Sequence, residues 1–115
     1  MNKRKGDNML NQVILVGRLV RDPEIKELPG GKKVSTITLA VQRSYKNQET
    51  QEYDTDFLNC TLWEGIAEST HQYCKKGSTL GVKARLAMKR FDYGEDQYIT
   101  YPEIVAEKIT FINTK

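Results

Sequence analysis

The stretch DFLNCTLW, residues 56–63, places large side chains on both faces of the strand that it predicts. Successive side chains of an extended chain point to opposite faces. The aliphatic face consists of Leu58, Cys60 and Leu62. The other face carries Phe57 and Trp63, roughly 20 Å apart at a rise of about 3.3 Å per residue, with small polar residues between them. If the aliphatic face is the core, the two aromatic rings lie on the outer surface. The rest of the sequence must then indicate what binds there.

The chain has the length and composition of one globular domain. Its 115 residues are 38% hydrophobic and 29% charged, which suits one core and not two. No apolar run approaches the ~20 residues of a membrane-spanning helix. The charged residues 1–8 are not followed by the apolar segment and cleavage site of a secretory signal. We therefore expect a cytoplasmic protein without membrane contact.

Charge is distributed in blocks, although the net charge is only +3. Residues 1–46 carry ten Lys and Arg against four acids, and residues 71–91 carry six bases and no acid. Residues 47–70 carry six acids and no base. Such runs are usually solvated faces, but blocks of one sign also indicate a positive field that favours a polyanionic partner.

The sequence offers no convincing metal or catalytic site. Two cysteines and one histidine are too few ligands for a metal, and we interpret Cys60 and Cys74 as buried thiols of a reducing compartment rather than a disulfide. His71 has no catalytic partner near it in the sequence, and the acids of segment 47–70 are scattered. We therefore expect no enzyme, no cofactor and no metal.

Alternation and turn residues predict five strands and one helix. The strands are predicted over 12–20, 34–43, 56–63, 78–91 and 98–112, and the helix over 64–77. The polar segment 44–56 predicts a long exposed hairpin loop. Gly17 inside a strand indicates a bulge or sharp bend, and Pro102 indicates an edge position or a bulge. Residues 1–8 predict a flexible basic extension, which leaves 9–112 as the domain and 113–115 as its C-terminal end.

Three strands, a helix and two more strands have the connectivity of the OB-fold. This fold is a five-stranded Greek-key barrel, here with the helix between strands 3 and 4. The strands of a closed barrel fill the interior with one face and leave the other face free for a ligand. The sequence thus predicts an all-β protein with one short helix.

The fourth predicted strand has one apolar face and one basic face. The apolar face consists of Leu80, Val82, Ala84, Leu86 and Met88. The opposite face carries Lys83, Arg85, Lys89 and Phe91. Unpaired bases stack on aromatic rings at about 1–3 kcal/mol each without sequence preference, and the phosphates between them need cations. With the rings of the third strand, this face predicts binding of single-stranded nucleic acid.

Two other interpretations of the aromatic face stay open at this point. Phe57 and Trp63 can pack under a loop or in a subunit interface, because large apolar side chains are usually buried. The chain would then be a partner-binding OB module, for example a primosome accessory protein. RNA is a further candidate ligand, since nothing on the face selects against a 2′-hydroxyl.

Four segments resemble the bacterial single-stranded DNA-binding protein (SSB) family in order and spacing. They are NQVILVGRLVRDPEI, VSTITLAVQRSYK, DFLNCTLWEGIAE and YCKKGSTLGVKARL, within residues 10–112. The resemblance implies a homotetramer of OB-fold subunits that binds and protects single-stranded DNA without base specificity. It also implies a role in replication, recombination, repair or transformation, and hence an association with the nucleoid.

The resemblance also implies the site residues. The family stacks bases on aromatics at four places, which this sequence fills with Tyr45, Phe57, Trp63 and Phe91. Alternation puts Tyr45 on the core side unless its strand bulges or ends near Arg43, so Tyr45 rests mainly on the family. Matching phosphate-contacting positions are Lys76, Lys89 and Arg90. Strand phase and proximity add Arg43, Lys46, Lys83 and Arg85.

Typical members of the family continue into a linker and an acidic tail that recruits other proteins. This sequence ends at Lys115 and so resembles a short form of the family. We therefore expect no tail-mediated protein partners and no small-molecule substrate.

Overall fold

The computed structural model describes residues 9–114, which form six strands and one helix. The elements are β1 (Val13–Leu19), β2 (Lys26–Glu27), β3 (Lys33–Lys46), β4 (Tyr53–Trp63), α1 (Glu64–Tyr73), β5 (Thr79–Gly94) and β6 (Gln97–Asn113). Since β2 has only two residues and pairs with the start of β3, the long strands are the five that we predicted. The predicted flexible extension at 1–8 lies outside the described residues.

The strands close into one barrel. Their order in the sheet is β1-β5-β6-β4-β3-β2, and β1 also pairs with β3. The pairing of β4 with β6 is parallel, and the others are antiparallel. α1 connects β4 to β5, which is the third-to-fourth connection once the short β2 is set aside. This arrangement confirms the predicted OB-fold.

The barrel interior holds most of the aliphatic residues that alternation assigned to it. Those that are buried are Cys60, Leu62, Leu80, Val82 and Ala84, and Ile37 and Leu39 of β3 are buried with them. Each large aliphatic side chain contributes about 1.5–3 kcal/mol when it is fully buried. Cys60 and Cys74 are buried free thiols, and burial raises the pKa of Cys60 to about 11. The Cys60 thiol therefore stays protonated at neutral pH.

α1 covers one end of the barrel with its buried residues Ala67 and Thr70. The helix ends at Tyr73, earlier than the predicted 77, because Cys74 has an extended backbone with φ −126° and ψ 157°. Gly77 instead takes a positive φ of 93° in the following turn. Within residues 9–114 no helix has the length and apolar character to cross a membrane.

Gly17 lies where β1 passes from one neighbouring strand to the other. β1 pairs in continuous register with β5 from Val13 to Arg18, and then with β3 at Arg18 and Leu19. A Cβ atom on Gly17 would lie 2.6 Å from the backbone oxygen of Ala40. The residue therefore permits the close approach that closes the barrel. Of the two predicted alternatives, a bulge or a sharp bend, the bulge is absent, because the register of β1 has no shift.

The β3–β4 hairpin is longer than predicted, because both strands extend into the polar segment. Only residues 47–52 remain between Lys46 and Tyr53. The Asn47 side-chain oxygen accepts hydrogen bonds from the backbone N–H groups of Glu49 and Thr50, which closes the turn. A register shift between Gln42 and Lys46 marks a bulge in the hairpin.

β5 and β6 extend past the barrel as a two-stranded arm. Leu86 and Met88 are 43% and 68% exposed, so our assignment of these two residues to the core is wrong. The reason is that β1 pairs with β5 only as far as Ala84, beyond which the barrel wall ends. Pro102 lies opposite Met88, in a part of β6 that precedes its pairing with β4. This is the edge position that the proline predicted.

Candidate nucleic-acid interface

The outer face of β4 carries two aromatic rings in different surroundings. Phe57 is 66% exposed, whereas Trp63 is partly covered. Asn59 is exposed and Thr61 is buried between them. Alternation therefore predicts the face of each ring but not how much of it reaches solvent.

An open groove of about 450 Å³ lies beside Phe57, between β4 and β6. The two strands pair only at Cys60 and Thr61 of β4, so they separate toward Phe57. The lining side chains include Phe57, Asn59, Thr61, Lys89, Tyr101 and Glu103. An exposed ring, a second ring and a lysine in one groove suit a stacked base and its phosphate.

Lys89 joins this groove from β5. It lies directly opposite Tyr101 in the β5–β6 ladder, and residues directly opposite each other share a face of the sheet. Its Nζ atom is 3.6 Å from Oε2 of Glu103, and the same carboxylate oxygen accepts a hydrogen bond of 2.7 Å from Thr61 Oγ1. Lys89 is about half-exposed, so the ammonium group remains accessible from outside the groove.

At the end of the arm, the predicted site residues lie on two different faces. Phe91 follows Lys89 by two residues on the same face of β5 and is exposed. Arg90 lies on the opposite face, where its guanidinium is 3.8 Å from the ring centroid of Tyr98. Its Nε atom donates a hydrogen bond of 3.0 Å to Asp92 Oδ1. Lys89 and Arg90 therefore point to different sides of the arm.

Tyr45 is 66% exposed and lies in the irregular stretch of β3 between Gln42 and Lys46, where residues on both faces of the hairpin are exposed. Arg43 donates two hydrogen bonds to Asp56, of 3.1 Å and 3.0 Å, and lies 3.9 Å from Asp54. Hydrogen bonding to Arg43 lowers the pKa of Asp56, and hydrogen bonding to Asp56 raises the pKa of Arg43. Arg43 is thus engaged in an ion pair within the hairpin.

Trp63 lies at the start of α1 and lines a second groove, of about 500 Å³. Ile66, Ile109 and Phe111 form the apolar part of its lining. Lys32 Nζ lies 5.2 Å from the centroid of the indole ring, within the range of a favourable cation–π contact. Phe57 and Trp63 therefore occupy separate grooves along one face.

The remaining predicted cations are spread around the barrel. Lys46 Nζ lies 5.9 Å from the ring centroid of Tyr53, and Arg85 Nε lies 3.7 Å from Glu107 Oε2. Lys83 is exposed on β5 opposite Ile14. Lys76 follows α1, where its backbone N–H donates to Asp22 Oδ1 at 2.7 Å. Residues 9–114 contain no group of three or more His, Cys, Asp or Glu side chains arranged to hold a metal ion.

Sequence reasoning missed Tyr101 and Glu103, which line the groove beside Phe57. The alternation of β6 could have grouped Tyr101 and Glu103 on one face. Which residues of β5 share that face depends on the register between the two strands. The ladder shifts by one residue between Asp92 and Gly94, and a shift of one residue exchanges the two faces of a strand. Without that bulge, Lys89 would lie opposite Pro102 rather than Tyr101.

Comparisons with known proteins place the chain in one family. Residues 10–112 match the Single-strand binding protein family. Single-stranded DNA-binding protein B of Bacillus subtilis is 41% identical over 107 residues, which are 93% of this chain and 94% of that protein. Single-stranded DNA-binding protein A of Bacillus subtilis and the single-stranded DNA-binding protein of Halalkalibacterium halodurans are each 42% identical over 107 residues. The chain spans 62% and 63% of their lengths, less than two thirds of either. The family match, which covers almost the whole barrel, shows that the chain belongs to the single-strand binding protein family.

Proposed function

We propose that this protein binds and protects single-stranded DNA without base preference, as a binding protein rather than an enzyme. The observation that carries the proposal is the groove beside Phe57, where an exposed ring lies with Tyr101 and Lys89 on the outside of a closed barrel. The names of the relatives support the choice of ligand. The cellular setting that we propose is the nucleoid, in replication, recombination, repair or transformation.

The proposed contacts divide into rings and cations. Bases stack on Tyr45, Phe57, Trp63 and Phe91. Phosphates are bound by Lys46, Lys76, Lys83 and Lys89, and by Arg43, Arg85 and Arg90 when these exchange a carboxylate partner for a phosphate. Stacking works for every base, because every base has a flat face. The proposal thus explains affinity without sequence readout.

We also propose that four copies of the 9–112 domain assemble around the DNA. The support is an exposed apolar patch on β1 and β6. Ile14 and Val16 lie two residues apart on one face of β1, and Ile112 lies beside Gly81, the residue that pairs with Val16. Contiguous exposed apolar side chains are typical of interaction surfaces.

The stacking role is tested by titrating oligo(dT) while following Trp63 fluorescence. We expect quenching by the wild type, and Phe57→Ala to weaken binding by about 1–3 kcal/mol, the value of one stacked base. Tyr73→Ala is the matched control, because Tyr73 is similarly exposed but lies on α1. Equal affinities of the wild type and Phe57→Ala would refute the stacking role.

The role of the cations is tested by repeating the titration at several salt concentrations. Each phosphate neutralised on a single strand contributes about −0.7 to the slope of log K against log salt. Salt-independent affinity would contradict phosphate binding. Competition by oligo(U) measures whether RNA occupies the same face.

A further inference from the structure

The groove beside Phe57 contains hydrogen-bonding groups that stacking and phosphate binding leave unused. Asn59 lies two residues after Phe57 on the same face of β4, and both side chains line the groove. Cys60 of β4 pairs with Ile104 of β6 in the parallel ladder. Asn59 precedes Cys60, and Glu103 precedes Ile104. The parallel register therefore sets Asn59 and Glu103 side by side across the groove.

A relay of two hydrogen bonds orients the amide of Asn59. Arg21 Nη1 donates to Thr38 Oγ1 at 3.2 Å, and Thr38 Oγ1 donates to Asn59 Oδ1 at 2.7 Å. A guanidinium group can only donate, so the Thr38 hydroxyl accepts from Arg21 and its own proton needs an acceptor. Only the amide orientation with Oδ1 toward Thr38 provides that acceptor. The Asn59 NH₂ group is then turned away from Thr38, and within residues 9–114 it has no acceptor.

The carboxylate of Glu103 is held in place in a similar way. Oε2 accepts from Thr61 Oγ1 at 2.7 Å and lies 3.6 Å from Lys89 Nζ. Oε1 has no partner in the described part of the chain. The side chain is only 20% exposed, so its position is constrained. A fixed carboxylate repels a phosphate but accepts hydrogen bonds from the N–H groups of a base.

We propose that this groove is a base pocket in which Asn59 and Glu103 contact the edge of the base that stacks on Phe57. The inference rests on the proposed binding of single-stranded DNA. The Asn59 NH₂ group donates to a ring nitrogen or carbonyl of the base, and Glu103 Oε1 accepts from its N–H group. Arg21 and Thr38 are positioning residues, which act through Asn59.

The pocket accepts any of the four bases but requires a polar edge. The Watson–Crick edge of every base carries an acceptor next to a donor, and single-stranded bases expose that edge. In thymine these are a carbonyl oxygen and N3–H. One amide donor beside one carboxylate acceptor therefore fits all four bases, and the carboxylate disfavours a phosphate at the position of the base edge.

The test compares oligo(dT) with a strand of the same length in which difluorotoluene replaces thymine. Difluorotoluene has the shape and stacking face of thymine, but its edge is a poor hydrogen-bonding partner. We expect Asn59→Leu to reduce the wild-type preference for oligo(dT) about five-fold, the effect of one neutral hydrogen bond. An unchanged preference in Asn59→Leu would overturn the proposal.

Thr38 supplies a second variant that leaves Asn59 in place. Thr38→Val removes the hydroxyl of the relay at nearly constant shape, and we expect it to reduce the preference in the same direction. Thr38→Ser retains the hydroxyl, and we expect it to keep the wild-type preference for oligo(dT). A merely structural role of Thr38 would lower affinity for both strands equally, and that result would overturn the positioning role.

Glu103 is tested with a strand of abasic sites, which offers phosphates without bases. Glu103→Gln removes the charge that repels phosphates, so we expect the ratio of affinities for oligo(dT) and the abasic strand to fall. Glu52→Gln, in the exposed β3–β4 turn, is the control for net charge. Equal ratios in the two variants would contradict the role of Glu103. The proposed function fails separately if the wild type does not bind oligo(dT), or if Phe57→Ala has no effect.

Discussion

At the scale of single residues, the predicted cations differ in how readily they can reach a phosphate. Lys83 is exposed on β5, whereas Arg43 is held by a bidentate bond to Asp56. The alternation of side chains along a strand does not predict whether a cation is free or ion-paired. An ion pair depends on which residue of the neighbouring strand lies close enough. Val41 pairs with Asp56 in the ladder, which brings Arg43, two residues further along β3, close to that carboxylate.

Removing the carboxylate of Asp56 should free Arg43 for DNA. We expect Asp56→Asn to steepen the dependence of oligo(dT) affinity on salt, by about 0.7 in the slope of log K against log salt. Fluorescence titration at several salt concentrations measures this slope. Glu68→Gln is the matched control, because it changes the net charge equally and releases Lys33, which lies outside the proposed interface. Identical slopes for the two variants would show that Arg43 makes no phosphate contact.

The same ion pair predicts a dependence of stability on pH. The pKa of Asp56 is lowered in the folded state by hydrogen bonding to Arg43, so the folded state favours the ionised carboxylate. The stabilising contribution is complete above the unfolded pKa of about 3.9 and is lost as pH falls through the lower folded pKa. Urea unfolding should therefore give a constant difference between the wild type and Asp56→Asn above about pH 5, which shrinks in stronger acid. A difference that persists unchanged below both pKa values would contradict this account.

At the scale of secondary-structure elements, β1 depends on the missing side chain of Gly17. We expect Gly17→Ala to lower the free energy of unfolding by at least about 1–3 kcal/mol, as overpacking does. The reason is that the new methyl group would lie 2.6 Å from Ala40 O and 2.9 Å from Val41 Cγ2. Gly65→Ala is the control, since a Cβ atom there meets nothing within 4 Å. In α1 that substitution should raise stability by up to about 1 kcal/mol. Urea unfolding of the two variants measures both values, and a neutral Gly17→Ala would refute the packing argument.

Two leucines on one face of β5 test where the barrel ends. Leu80 is fully buried, and Leu86, six residues later on the same face, is 43% exposed. We expect Leu80→Ala to cost about 2–5 kcal/mol, as buried leucines do, and Leu86→Ala to cost much less. Urea unfolding measures both costs. Similar costs would mean that the arm is packed against another surface in solution.

The elements show what sequence patterns determine and what they leave open. Alternation identified all five long strands, and the connectivity identified the OB-fold. Strand ends were less predictable, because β3, β4, β5 and β6 continue through polar segments by pairing with a neighbour. The residues that line the groove could not be predicted either, since the position of Tyr101 opposite Lys89 depends on the bulge at the end of the arm. Local sequence determines alternation, whereas register depends on how two distant segments pair.

At the scale of the whole molecule, half of the acids in the 47–70 block form ion pairs with bases of the first basic block, at contacts away from the groove. Acids of the 47–70 block pair with Arg43 and Lys33, which belong to the first basic block. Among residues 9–114, Lys46, Lys76 and Lys83 on the barrel surface form no ion pair. Block charges along a sequence therefore overstate the separation of charge in the folded protein. We expect the positive field that the proposed function needs to come from these three lysines and from Lys89.

The edge of β1 predicts how copies of the chain assemble. β1 pairs with β3 only at Arg18 and Leu19, so within residues 9–114 the edge from Val13 to Gly17 that faces away from β5 has no partner strand. An open edge is a template for pairing with another chain. Two copies of β1 can pair antiparallel about a two-fold axis, which is the commonest symmetry of homo-oligomers. Such pairing would continue the sheet across the two-fold axis and bring Ile14 and Val16 of both copies onto one exposed apolar face, on which a second pair of copies can pack.

We therefore expect light scattering to give about four times the mass of the 13.2 kDa chain, and the double variant Ile14→Asp, Val16→Asp to give a lower mass. The introduced aspartates would be buried in that contact without partners, and burying an unpaired charge destabilises the assembly. Met88→Asp is the control, because Met88 is an equally exposed apolar residue on the arm. The double variant should keep its affinity for a short oligonucleotide, since Phe57 is on another part of the barrel, and lose affinity for strands long enough to span several copies. A wild type that has the mass of one chain, or a double variant that keeps the mass of the wild type, would rule out assembly through β1.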